Sequence, residues 1–178
     1  MKKVNNFYST IAMMIAILSS GLLFGQTPKL TDPEIASVAV TANQIDINYA
    51  KIAKERSKNA DILKFAATMT SDHQSIINQA VALVQKLGVT PKDNDVSKKL
   101  NAGADNTIKL LRGKSAGDFN KAYIDNEVSY HKAVIETVQN VLIPQSQNAE
   151  LKALLEKVLP ILKTHLEHAE MVQKMSLK

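Results

Sequence analysis

The stretch Pro160-Ile-Leu-Lys-Thr-His165-Leu-Glu-His168-Ala-Glu-Met171 places two imidazoles one helical turn apart in an otherwise apolar stripe. The stripe extends back through Leu151, Leu155, Val158 and Leu162 and forward through Ala169 and Val172, with Leu154, Ile161, His168 and Met175 on its shoulder. Gaps of three and four residues predict a helix with one buried face. Pro160 lacks the N–H that would reach the Glu156 carbonyl, which predicts a kink, or two helices meeting there. The chain has four histidines. Whether His73 and His131 lie in comparable stripes, and at the same height, decides what the fold is built around.

Three further long patterns lie upstream. Thr31-Asp-Pro-Glu34 has the form of a capping box with proline in the first turn, and Ile35, Ala39, Ala42, Asp46, Tyr49 and Ala53 follow on one face. Asp46 is the polar misfit in that stripe. Ser57-Lys58-Asn59 interrupts it, and Asn59 caps a second pattern of Ile62, Ala66, Met69, His73, Ile76, Ala80, Leu83 and Leu87, closed by Gly88 and Pro91. From 88 to 117 the periodicity is weak, with one or two short helices expected around Val96, Leu100, Ile108 and Leu111. Such a link is far longer than a hairpin needs and suits a crossover along the length of a bundle. Ser115-Ala-Gly-Asp118 then starts a third long pattern, with Ile124, Glu127, His131, Val134, Val138 and Val141 on one face, ending at Pro144. No strand pattern, phosphate-binding loop or internal repeat is visible. The expectation is an all-α, four-helix bundle over 32–175 with a long crossover between its second and third helices.

Outside that bundle, Met1-Lys2-Lys3, the apolar run from Ile11 to Phe24 and Gly25 have the form of a secretory signal peptide over 1–25, followed by a tether over 26–31. The run is shorter than the roughly 20 residues of a spanning helix. No stable membrane span after signal cleavage is expected, and a periplasmic or secreted location follows. A retained anchor is the alternative. The absence of cysteine excludes disulfides, thiolate metal sites and a lipid-anchored lipoprotein. The formal charge of +5 falls to +3 without Lys2 and Lys3, and the remaining lysines are interspersed with acids. With no tryptophan either, nothing resembles a phosphate-tracking or base-stacking surface, so no nucleic-acid partner is expected. Protein partners are not specified, and a homo-oligomer stays open.

Counting along antiparallel helices at about 1.5 Å per residue sets the heights of the polar misfits. Asp46 and His73 lie 12 and 15 residues from Lys58, so they sit roughly 18 and 22 Å from one end. Glu127 and His165 each lie 16 residues from the ends of the link between Ile143 and Ala149. Glu127 and His131 share a face four residues apart, and His165 and His168 three apart. About three helix positions in seven face inward, so four histidines placed at random would all do so roughly 3% of the time.

Asp46, His73, Glu127, His131, His165 and His168 are therefore the candidate metal residues. A core position is costly for an ionised carboxylate unless a cation or hydrogen bonds accompany it. Imidazole with carboxylate suits one divalent transition metal, with zinc, iron or manganese as the candidates among several. Asp72 and Glu167 could steady the ligating imidazoles through their second nitrogens. The competing reading is a metal-free polar layer, in which His73, His131 and His165 bond Asp46 and Glu127 and fix how the helices pair. Tyr49, Tyr123 and Tyr130 read as packing residues, and Met69, Met171 and Met175 as apolar filler.

Phe65-Ala66-X-X-Met-X-X-Asp72-His73, Asp118-Phe119-X-X-Ala122-Tyr123 and Leu159-Pro160-X-Leu-X-X-His165-Leu-X-X-Ala169 together resemble the uncharacterised exported ferritin-like domain of bacteria, a domain of unknown function. The resemblance covers about residues 32 to 175. It implies a ferritin-like four-helix fold, a signal peptide with a periplasmic or secreted location, and a metal-related role. Ferritin-like di-iron proteins pair a Glu from each of two helices with a Glu-X-X-His from each of the other two. This sequence has no Glu-X-X-His, since Glu127 and His131 are one residue too far apart, and Asp46 stands where a first-helix acid would be. A histidine-rich site for a single ion is the expectation, rather than iron storage or di-iron oxidation, and no reaction is assigned. A metal-free structural or protein-interaction bundle of the cell envelope is the alternative.

Overall fold

A computed structural model describes residues 29–176. The expected signal peptide at 1–25 and most of the tether lie outside the described residues. Within them the chain is all-helical, with α1 Asp32–Arg56, α2 Ala60–Lys86, α3 Asp95–Gly113, α4 Ala116–Thr137 and α5 Ala149–Ser176. No helix among the described residues is long and apolar enough to cross a membrane.

The helix boundaries follow the local chemistry. At the start of α1 the Glu34 carboxylate accepts from the Thr31 amide at 2.9 Å and from its hydroxyl at 2.7 Å. Asn59 Oδ1 accepts from the Asp61 and Ile62 amides, and Ser115 Oγ from the Asp118 amide. Gly88 leaves α2 at φ 63°, a left-handed conformation that an L side chain strains to adopt. Asn148 caps α5 through the Glu150 and Leu151 amides. Asp32 accepts from the amides of Gln147 and Asn148, which ties the last loop to the first helix.

Two apolar clusters fill the interior. One holds Tyr49, Ile52, Ile62, Phe65, Phe119, Tyr123 and Val172, and the other Ile35, Val38, Ile76, Val138, Leu142, Leu155 and Leu162. Each of α1, α2, α4 and α5 contributes to both clusters, and their order along the chain shows that α1 is antiparallel to α2, and α4 to α5. Helix α1 packs on α2, α4 on α5, α2 also on α5, and α1 also on α4. Helix α3 runs from Val96, against the second cluster, to Leu111 in the first, alongside α1. It is the crossover, formed as one helix of 19 residues capped by Asn94 rather than as short pieces.

Neither Pro160 nor Pro144 ends a helix. Helix α5 passes Pro160 as one continuous helix, so the two-helix alternative does not hold. Pro160 and Glu156 are both on the exposed face, where water can take the forgone bond. The fourth helix does not stop at Pro144. It continues as a π-helical turn, Val138–Leu142, and a last turn, Ile143–Gln145, that includes Pro144. The Ile143 amide bonds the Val138 carbonyl, five residues back. A wider turn relieves the clash between a proline ring and the carbonyl four residues before it.

Arg56, at the end of α1, has a role that periodicity did not show. Its guanidinium donates to the carbonyls of Leu111 (2.5 Å), Arg112 (2.7 Å) and Lys114 (2.7 Å) and lies 4.9 Å from the centre of the Phe119 ring. It satisfies the exposed end of α3 and joins it to α4. Lysine cannot reproduce this fork, so Arg56→Lys is expected to cost about 1–3 kcal/mol. Thermal denaturation checks it, as a melting temperature lower by several degrees.

Candidate metal centre

The polar misfits of four stripes meet between the two apolar clusters. Asp46 on α1, His73 on α2, Glu127 and His131 on α4 and His165 on α5 are all buried, each 3% exposed or less. Asp46 Oδ2 lies 3.4 Å from His73 Nε2 and 3.5 Å from His131 Nε2. Ring centroids are 5.1 Å apart for His73 and His165, 5.6 Å for His131 and His165, and 5.8 Å for His73 and His131. Ligand atoms of His73, His131 and His165 all lie within 4.8 Å of one another, as do those of Asp46, Glu127 and His131.

Each imidazole is held from its outer side. His73 Nδ1 is 2.7 Å from Asn43 Oδ1, and that oxygen is fixed as the acceptor because Asn43 Nδ2 donates to the Ala39 carbonyl. His131 Nδ1 is 3.0 Å from the Glu127 carbonyl, and His165 Nε2 is 3.0 Å from Asp72 Oδ2. None of these acceptors can donate, so each outer nitrogen carries the proton. The inner nitrogens, His73 Nε2, His131 Nε2 and His165 Nδ1, are therefore lone pairs aimed at the centre. They are buried with no hydrogen-bond partner, and so are both carboxylate oxygens of Asp46 and of Glu127.

Burial governs the protonation of the group. Desolvation pushes Asp46 up to about 8 and raises Glu127 well above the usual carboxylate range, helped by Asp46. Desolvation lowers all three imidazoles, His131 to about 4 and His73 well below its ordinary value. At His165 the Asp72 carboxylate works against that shift. Without an ion, burial thus favours the uncharged form of every member of the layer, carboxylic acids and neutral rings alike. The Tyr123 hydroxyl is the one neighbour that lowers the Glu127 pKa, although the pair does not close into a regular hydrogen bond.

The remaining candidates separate clearly. His168 is half-buried, belongs to neither ligand cluster, and packs edge-on against Phe65 with centroids 5.1 Å apart. Asp72 does steady a ligating imidazole, but that of His165 on α5 and not that of its sequence neighbour His73, whereas Glu167 is exposed. Asn43 was not singled out by the sequence. The signal for it is its place one turn before Asp46, where a buried amide needs a polar partner. Tyr130 donates to the Ala42 carbonyl at 2.8 Å and flanks His131. Beside it a cavity of about 10 Å³, bordered by Asp46, His73 and His131, has room for about one water-sized ligand.

The residues fit a divalent ion. Metal–ligand bonds of about 2.0–2.1 Å give tetrahedral edges of roughly 3.3–3.4 Å, close to the two Asp46–imidazole separations. The donor set is neutral nitrogen and carboxylate oxygen, and the unpartnered atoms are those a cation would bind. A family model described as a domain of unknown function matches residues 24–172. The chain belongs to the DUF4142 family. No curated protein and no solved structure matches this DUF4142 chain.

Proposed function

We propose that this DUF4142 chain is an exported, ferritin-like four-helix bundle that binds one divalent transition-metal ion, zinc, iron or manganese, through His73, His131, His165 and Asp46, with Glu127 completing the layer. His168 stays at its edge. The observation that carries this reading is the set of three outer hydrogen bonds that leave three inner lone pairs without partners around a buried carboxylate. A metal-free polar layer would close those atoms into hydrogen bonds with Asp46 and Glu127, whereas the Asp46 separations of 3.4 and 3.5 Å are long for such bonds and suit ligands grouped about one ion. The ferritin-like reading is supported by α1, α2, α4 and α5 sharing one interior, with α3 as the long crossover. Export is supported by the leader-like sequence at 1–25.

An ion held there would act as a Lewis acid toward a small ligand in the adjoining cavity. Protein purified from its native compartment should carry about one ion per chain by elemental analysis. His73→Ala and His165→Ala should each lose it while remaining helical by circular dichroism. A wild type that is metal-free and takes up no added zinc, iron or manganese would leave the structural reading in its place. The mature N-terminus, read by mass spectrometry, tests export: cleavage near Gly25 is expected.

A further inference from the structure

The three imidazoles are not held equally, and the difference points to how an ion would reach them. His73 is secured by Asn43, 9% exposed, and His131 by the carbonyl of Glu127, 0% exposed. Releasing His73 would strand the buried Asn43 oxygen, and releasing His131 would move a fully enclosed ring, 1% exposed, beyond the reach of water that could take over its bond. His165 is secured by Asp72, whose side chain is 43% exposed. When that bond opens, water can solvate the carboxylate, so His165 is the ligand that can swing at least cost. The same carboxylate puts a negative charge at the surface between α2 and α5, within one imidazole of the centre.

We propose that Asp72 and His165 form the entry gate for the ion. Asp72 draws a hydrated divalent cation to the seam between α2 and α5, and His165 turns aside and then closes on it as the last ligand. This rests on the metal-binding reading above. The small cavity that borders the layer on another side is lined by Tyr130, whose hydroxyl bonds α4 to the Ala42 carbonyl of α1. That bond carries no charge, and opening it leaves all three imidazoles where they are.

The test is stopped-flow binding of Co(II) to the full mature chain, followed by its visible absorption, with release measured by chelator capture. Asp72→Asn keeps an acceptor for His165 Nε2 but removes the charge. It should slow association three- to tenfold at low ionic strength and flatten the salt dependence seen in wild type. Asp72→Ala, which also frees His165, should speed release about tenfold or more. Asn43→Ala should weaken binding while retaining the wild-type salt dependence, and Tyr130→Phe should leave association unchanged. The gate is overturned if Asp72→Asn associates like wild type at all salt concentrations, or if Tyr130→Phe, and not the Asp72 variants, alters the rates. Failure of wild type to bind Co(II) and to take up zinc, iron or manganese overturns the metal reading and the gate with it.

Discussion

Adding zinc to the metal-free protein at a thousandfold excess over its Kd is expected to raise the melting temperature by roughly 8–16 °C, and a chelator to reverse the rise. A ligand bound only by the folded state at that excess stabilises by about 4 kcal/mol, and a chain of this size shifts by about 2–4 °C per kcal/mol. The ligand atoms lie on four helices that the unfolded chain does not hold together, so the condition of binding only the folded form is met. Asp46→Asn removes the one carboxylate in contact with two inner nitrogens. In that variant the rise should shrink to a few degrees or vanish. The metal-free variant should itself melt no lower than metal-free wild type by more than a few degrees, because Asp46 is already uncharged there. Differential scanning calorimetry of both proteins, with and without zinc, measures all four values. An equal rise in the variant would remove Asp46 from the ligand set.

The second large effect is on the pH dependence of stability, and it has opposite limbs. The imidazoles have folded pKa values below their ordinary 6.5, so their contribution is present above pH 6.5 and is lost as pH falls toward about 4. The carboxyls have folded values raised from 3.8 and 4.5, so theirs is present below about pH 4 and is lost as pH rises, for Asp46 through about 8. Between pH 4.5 and 6.5 the two limbs oppose each other, and metal-free stability should change less than either limb alone would give. Above pH 6.5 only the carboxyl limb remains. Two protons are at stake, each worth up to about 1.4 kcal/mol per pH unit, so the melting temperature should fall by several degrees between pH 6.5 and 8. With an ion bound, both carboxylates are already ionised and that alkaline fall should disappear. Melting curves across this range, with chelator and with zinc, test it. A metal-free protein whose stability is flat to pH 8.5 would mean that the acids are not buried in neutral form.

Much of this arrangement was readable from spacing. The count from Lys58 put Asp46 and His73 at one height, and they are 3.4 Å apart. Thr31, Asn59 and Ser115 announced helix starts because capping chemistry is local, and Gly88 announced an end for the same reason. Asp72 was legible as a partner for a ligating imidazole through its place next to His73, but the ring it holds is His165, on another helix. What was not readable depends on groups that carry no sequence signature. The acceptor for His131 is a backbone carbonyl, the partner of His73 is an amide on another helix, and Arg56 reaches three carbonyls more than fifty residues away. The full length of α3 was obscured by its polar composition, and the π turn by a proline that reads as a stop. His168 lies in the same sequence pattern as His165, but one turn further on it meets Phe65 instead of the centre.

The three imidazoles and Asp46 come from the first, second, fourth and fifth helices, so no contiguous half of the chain contains the centre. The donor set exists only after α5 has docked on α2 and α4. An emerging or partly folded chain would therefore offer no competent site, and scattered imidazoles would hold a cation weakly. Metal identity would be decided wherever the chain completes folding, by whichever ion is available in that place, and affinity acquired earlier would play no part. Truncation anywhere before His165 would erase the site as surely as changing a ligand.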